Sequence, residues 1–238
     1  DSADAWANQK LFQLDEDGKP LKVAGVPPDY FSKDGQLWGN PLYNWEYMKT
    51  TGYKWWIDRI DGVSKYFDVI RIDHFRGFEE YWSVPYGEKT ARNGCWQKGP
   101  SIDFIRIIRD WFCNVDFIAE DLGIINEDVT KLLNDSGLPG MRVLEFGFAP
   151  DGTSYHCPHN HIENCVCYGL NEEEGFNYGF IRGGMSSVCK LFIAQLQDYL
   201  GLDESSTINN PGTLGNWRWR ALKKDLNKDL ASKIAKIA

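Results

Sequence analysis

The sequence predicts an α/β fold built on a parallel sheet. Short, largely apolar runs recur, "DVIRID" at 68–73, "VDFIAED" at 115–121 and "MRVLEFGF" at 141–148, and the first two end in charge. Stretches with apolar residues at helical spacing separate them. Strand, helix, strand, helix, strand is βαβ grammar, in which parallel strands are buried on both faces.

The elements follow in order. Residues 1–43 are dense in Gly and Pro, as in "DEDGKP" and "GVPPDYFSKDGQLWGNP", and read as loop. So long an irregular stretch within a domain points to a functional loop. Asn44 can cap a helix running to about Phe67, with Trp45, Met48, Trp55, Trp56 and Ile60 on its apolar face. After "DVIRID", residues 79–100 read as loop. Ser101 can cap a helix over 102–112, where Ile102, Ile105, Ile108 and Phe112 recur at helical spacing. "NEDVTKLLNDSG" predicts a helix stopped by Gly137. "NCVCYG" is a candidate fourth strand, 179–190 a helix, and "LFIAQLQ" its continuation or another strand. Leu226, Leu230, Ile234 and Ile237 mark a C-terminal amphipathic helix. The whole, 1–238, reads as one domain.

Composition narrows the function. Apolar residues make up 42% and charged residues 25% of the 238, ordinary for a globular protein. No stretch approaches the roughly 18 apolar residues of a membrane span. The net charge of −8 argues against nucleic acid or an anionic membrane surface as partner. Ten Trp, 11 Tyr and 13 Phe are abundant enough to supply stacking faces for sugar rings as well as a core. Six dispersed cysteines without a leader pattern suggest reduced thiols in a cytoplasm. The opening "DSADAWANQK" reads as the interior of a longer polypeptide.

Asp73 and Glu120 end two consecutive strands. In a parallel α/β barrel all strand C-termini share one mouth, where catalytic residues collect. Two carboxylates on one cleft can break a glycosidic bond, one attacking the anomeric carbon and the other protonating the leaving oxygen. A separation of about 5–5.5 Å implies retention and about 6.5–9.5 Å inversion. The acid needs a raised pKa. Arg71, two residues before Asp73, shares its side of the strand and favours an ionised nucleophile. The plainer alternative is a helix cap or an arginine partner.

These residues carry a resemblance. "DSADAWAN", "AGVPPDYFSKDGQLWGNPLYNW", "FDVIRIDHFRGF", "YWSVPYGEKTARNGCWQKGP", "FIAEDLG", "LPGMRVLEF" and "NNPGTLGNWRWR" occur in an order that resembles the amylomaltases, the 4-alpha-glucanotransferases of glycoside hydrolase family 77. The resemblance implies a (β/α)8 TIM barrel, present here in part, and retaining transfer of α-1,4-glucan segments between malto-oligosaccharides. It assigns Asp73 as nucleophile, Glu120 as general acid/base and Arg71 as the arginine beside the nucleophile. His74, next to Asp73 in the chain, reads either as a hydrogen-bond partner for a sugar hydroxyl or as a brace for the strand end. The resemblance places Tyr30 and Phe31 in a glucan-guiding loop, and Gln36, Trp38, Asn40 and Tyr43 in a sugar-binding wall. It calls for no cofactor and no metal.

Three departures accompany it. The first strands of the family barrel are missing. The family's third carboxylate, in Tyr-Thr-Gly-Thr-His-Asp-Asn, is absent: "ENCVCY" reaches Tyr168, and "GLNEEEGF" then resembles sequence from farther downstream, implying a deletion at Tyr168–Gly169. Glu172, Glu173 and Glu174 read as a solvated helix start. Thr207 stands where the family commonly has Arg. The alternative function is therefore an inactive fragment or a glucan-binding pseudoenzyme. "HCPHNHIENCVC" (156–167) holds three His and three Cys but lacks Cys-X2-Cys spacing, so it reads as local packing, not a zinc site. Trp217 and Trp219 also read as packing residues.

Overall fold

The computed structural model describes residues 2–29, 32–147, 152–169, 177–209 and 215–237. Tyr30, Phe31, Glu172, Glu173 and Glu174 lie outside these. The chain forms two compact units, 1–138 and 139–238.

The first unit holds α1 (Ala3–Ala7), β1 (Lys22–Val26), β2 (Gln36–Pro41), α2 (Trp45–Thr50), α3 (Lys54–Ser64), β3 (Val69–Ile72), β4 (Glu80–Pro85), β5 (Cys95–Lys98), α4 (Ser101–Trp111), β6 (Asp116–Ala119) and α5 (Glu127–Ser136). β3 and β6 pair in parallel, with Ile72 opposite Ala119. This is the predicted pair of strands, and both chains leave it at the same end. Ile70, Ile72, Phe117 and Ala119 pack into a core with Ile60 from α3, Phe104, Ile105 and Ile108 from α4, and Leu132 from α5. Trp45, Trp55 and Trp56 pack against that core as expected.

The stretches read as loop differ. They contribute a four-stranded antiparallel sheet in the order β2-β1-β4-β5. Its Gly content misleads because glycine here serves close backbone approach: a Cβ on Gly25, within β1, would lie 2.4 Å from the Gln36 carbonyl oxygen of β2. The pairing also shifts register between Val23 and Gly25, so no clean alternation is left to read.

The predicted helix from Asn44 is two helices. Asn44 does cap the first, accepting a bond from the Tyr47 N–H at 3.1 Å. The chain then turns through Thr51 and Gly52, and Tyr53 takes a left-handed conformation at φ 56° before α3 starts. Ser101 does not cap α4; it is the helix's first residue, at φ 53°, with Pro100 in the cap position. Gly137 does end α5, at φ 66°.

The second unit holds β7 (Gly140–Val143), β8 (Cys165–Tyr168), α6 (Asn177–Met185), β9 (Leu191–Ile193), α7 (Leu196–Leu200) and α8 (Lys228–Ala235). Its strands form a parallel sheet in the order β7-β8-β9. The ambiguous "LFIAQLQ" divides into β9 and the start of α7. Leu230 is the buried residue of α8. Trp217 is exposed rather than packed, at φ 65°. No closed barrel forms among the described residues. No helix of these residues is long and apolar enough to cross a membrane.

Candidate active site

The site starts from the register of β3 and β6. The Glu120 N–H donates to the Ile72 carbonyl at 2.9 Å, and the Phe75 N–H donates to the Glu120 carbonyl at 3.0 Å. Parallel pairing thus continues across the strand ends and holds Asp73 and Glu120 on one rim.

His74 takes the left-handed conformation at φ 50°. Such a residue costs roughly 1–2 kcal/mol for a side chain with a Cβ. What the strain provides is direction: the His74 N–H donates to Glu120 Oε2 at 2.7 Å. The Leu122 N–H donates to Glu120 Oε1 at 2.9 Å. The residue after Asp73 therefore grips the carboxylate of Glu120. Asp73 itself pairs with Arg71, Oδ1 to Nη1 at 2.8 Å, as their shared side of β3 predicts. That pair is open to solvent, with 77% of the Asp73 side chain exposed, so it orients more than it stabilises.

The electrostatics distinguish the two carboxylates. Burial raises the Glu120 pKa above the usual carboxylate range. The two N–H bonds oppose this, the Asp73 charge adds to it, and Arg71 works against it. Desolvation wins. A carboxylate offers about four lone-pair positions, and the two N–H bonds leave two for a proton. His74 has its pKa lowered to about 4, chiefly by burial and then by Arg76. Its neutral imidazole meets Trp38 edge to face, ring centres 4.8 Å apart.

A cavity of about 630 Å³ opens beside Asp73 and His74. Trp38, Asn40, Tyr43, Trp45, Trp56, Phe78 and Tyr81 contribute to its wall. Three of the four residues predicted for a sugar-binding wall are thus brought to the cavity with Asp73. Gln36 is not in the wall; its Oε1 accepts from Trp38 Nε1 at 3.2 Å and steadies that ring. Glu120 and Arg71 are not in the wall either; they reach it through His74 and Asp73.

The sequence sets Arg76 close to Asp73 but gives it no role of its own. Only 3% exposed, its guanidinium bonds Glu80 Oε1 at 2.9 Å and the Ile124 carbonyl at 2.6 Å, and lies 4.0 Å from the Trp96 ring centre. It ties the segment after β3 to the segment after β6, the two that carry Asp73 and Glu120. Its place in "DHFRGF" was the available signal, since a charge amid aromatics is seldom buried without a partner.

An α/β fold that brings two unlike carboxylates to one rim beside an aromatic cavity has the equipment for chemistry on a glycosidic bond. The family model described as 4-alpha-glucanotransferase, of glycoside hydrolase family 77, matches residues 1–171 and 169–225. The chain belongs to that family.

The 4-alpha-glucanotransferase of Clostridium butyricum is 42% identical over 268 aligned positions, covering all of this chain and 55% of the relative. That of Aquifex aeolicus (strain VF5) is 46% identical over 254, covering 94% and 52%. An amylomaltase from Streptococcus agalactiae, solved in complex with acarbose, superposes with TM-score 0.94 at 37% identity, covering 100% of this chain and 54% of that one. An amylomaltase from Corynebacterium glutamicum, at 16% identity and TM-score 0.82, shares the fold. The fold class is the predicted one, part of a (β/α)8-barrel enzyme. The chain spans about half the length of the relatives it matches. The two family matches meet at 169–171, and 268 aligned positions against 238 residues leave 30 that the chain does not fill.

Proposed function

We propose that the whole protein is a 4-alpha-glucanotransferase that moves α-1,4-glucan segments between malto-oligosaccharides with retention of configuration. Asp73 attacks the anomeric carbon and forms a glycosyl-enzyme. Glu120 protonates the departing glucan and then takes the proton of the incoming acceptor hydroxyl. The single observation that supports this most is the His74 N–H on Glu120 Oε2, which keeps the two carboxylates on one rim. The raised pKa of Glu120 and the exposed, arginine-paired carboxylate of Asp73 suit an acid and a nucleophile respectively.

The remaining assignments follow from chemistry. Trp38 and Tyr43 offer apolar faces to sugar rings, and Asn40 and neutral His74 offer hydrogen bonds to hydroxyls. Transfer outruns hydrolysis when an acceptor sugar occupies the position water would take, so an aromatic wall favours transfer. Tyr30 and Phe31 are assigned to the glucan-guiding loop on the motif "GVPPDYFS". Both units are assigned to one catalytic domain, since the family match runs through them. The unpaired state of all six cysteines supports a reducing, cytoplasmic setting.

The break in the family match at 169–171 favours a second reading, a chain that holds glucan without turning it over. Incubation with maltotriose separates the two. Glucose plus longer oligosaccharides mean transfer. Binding without new products means a pseudoenzyme.

A further inference from the structure

The second unit gathers a set of donors that glucan chemistry does not use. Cys165 and Cys167 lie two apart on β8 and so face the same side of the strand. His161 precedes them, and Cys189 comes from the segment leading into β9. The donor atoms of His161, Cys167 and Cys189 all lie within 4.8 Å of one another. Cys189 Sγ is 3.0 Å from His161 Nδ1 and 3.2 Å from Cys165 Sγ. We propose that His161, Cys165, Cys167 and Cys189 bind one zinc ion in a tetrahedral Cys3His site.

Four features point to a metal rather than to chance packing. First, the donor set is chemically right: three thiols and an imidazole suit zinc, and soft sulfur disfavours magnesium and calcium. Second, the spacing fits. Zn–S near 2.3 Å and Zn–N near 2.0–2.1 Å imply donor-to-donor edges of about 3.5–3.8 Å. His161, Cys167 and Cys189 already hold their donor atoms within 4.8 Å of one another, and Cys165, its sulfur 3.2 Å from that of Cys189 and now on the Ile162 carbonyl, completes the four by turning its side chain toward them.

Third, the imidazole is already set as a ligand. His161 Nε2–H donates to the His156 carbonyl at 2.9 Å, which leaves the Nδ1 lone pair facing Cys189. A carbonyl behind a ligating histidine is the usual outer support of a metal site. That support is itself anchored, because His156 Nδ1 accepts the Val143 N–H of β7 at 3.0 Å. Fourth, zinc with three thiolates carries a net charge of −1, and the buried Arg142 guanidinium acts electrostatically on Cys165, Cys167 and His161.

Binding is ligand exchange without redox change. Each ligating thiol releases its proton to solvent and its sulfur forms a bond to zinc, while Nδ1 donates its lone pair. The ion clips the segment before β8 to the segment before β9. Sequence spacing hides this set because Cys189 lies well beyond 156–167, and because Cys-X-Cys on a strand is not the spacing of common zinc folds.

The test uses the whole chain under reducing conditions. The protein is stripped with a chelator, reconstituted with zinc, and assayed by elemental mass spectrometry. A parallel sample takes cobalt(II) for its visible spectrum. The expected result is about one zinc per chain, and for cobalt an intense tetrahedral absorption with a thiolate charge-transfer band. Cys167→Ser and Cys189→Ser each drop the metal content from about one towards zero, while Cys113→Ser, at an exposed position, keeps it. Should Cys167→Ser or Cys189→Ser misfold, the cobalt spectrum of the unmodified chain decides alone. Substoichiometric metal, an octahedral cobalt spectrum, or an intact mass showing a Cys165–Cys189 disulfide in the purified protein would each overturn the site.

Discussion

The first unit contains two sheets that divide the work. The parallel pair β3–β6 sits on the large core, with Phe75, Phe104 and Ala119 fully buried around it. The antiparallel sheet β2-β1-β4-β5 has a small core of its own, Val23, Val84 and Ala91 with Trp82 against them, and β2 is exposed along most of its length. The rigid pair presents Asp73 and Glu120. The thinly packed sheet presents Trp38 and Asn40 to the cavity. Chemistry needs atoms held to fractions of an ångström, whereas stacking on a sugar tolerates adjustment. The proposed reactive groups on the stiff element and the proposed contact surface on the pliant one is the arrangement that difference favours.

Breaking the stiff side gives the largest effects. Asp73→Asn lowers transfer by about 10⁴-fold or more, with little change in thermal stability, because the side chain is exposed. Glu120→Gln lowers it by about 10²–10⁴-fold with a natural glucan, and by much less with a glycosyl fluoride, whose leaving group needs no acid. Arg76→Ala takes the cation from Glu80, whose side chain is 15% exposed and keeps its bond from Asn126, and costs about 1–3 kcal/mol in denaturant unfolding.

On the pliant side, Gly25→Ala forces a methyl against the Gln36 carbonyl, costs about 1–3 kcal/mol, and weakens glucan binding through β2. Trp38→Ala, at a position 41% exposed, leaves stability within about 0.5 kcal/mol but raises KM severalfold more than it lowers kcat. A finer effect joins the two carboxylates. The Asp73 charge raises the Glu120 pKa, so Asp73→Asn shifts the Glu120 carboxyl titration, followed by carbon NMR, to lower pH. An unmoved titration would mean the two groups do not share a site.

The same two sheets separate what the sequence reveals from what it hides. β3 and β6 were legible because both carry short apolar runs, and the charges at 71, 73 and 120 stand out against them. The burial expected on both faces holds for Phe117–Ala119 of β6 but not for β3, where Val69 and Arg71 are exposed. Arg71 beside Asp73 followed from period-two alternation alone. The antiparallel sheet was not legible. Gly25, the irregular register after Val23, and the exposed face of β2 erase alternation, and the pairing of β1 with β4 joins residues far apart in the chain. Helix breaks at Tyr53 and the strained His74 were hidden for another reason: a positive φ at a residue with a Cβ is imposed by tertiary contacts. Gln36 and Arg76 show the same limit at the site, since their neighbours determine what they do.

The central claim is that Asp73 carries the glycosyl group while Glu120 serves both proton transfers. The Glu120→Gln variant of the whole protein, incubated with α-maltosyl fluoride, tests it most directly. Glycosylation proceeds without an acid, and deglycosylation stalls without a base. Mass spectrometry of the digested protein should then find a maltosyl adduct on the peptide containing Asp73. An adduct on another carboxylate, or turnover giving a product of inverted configuration, would contradict it.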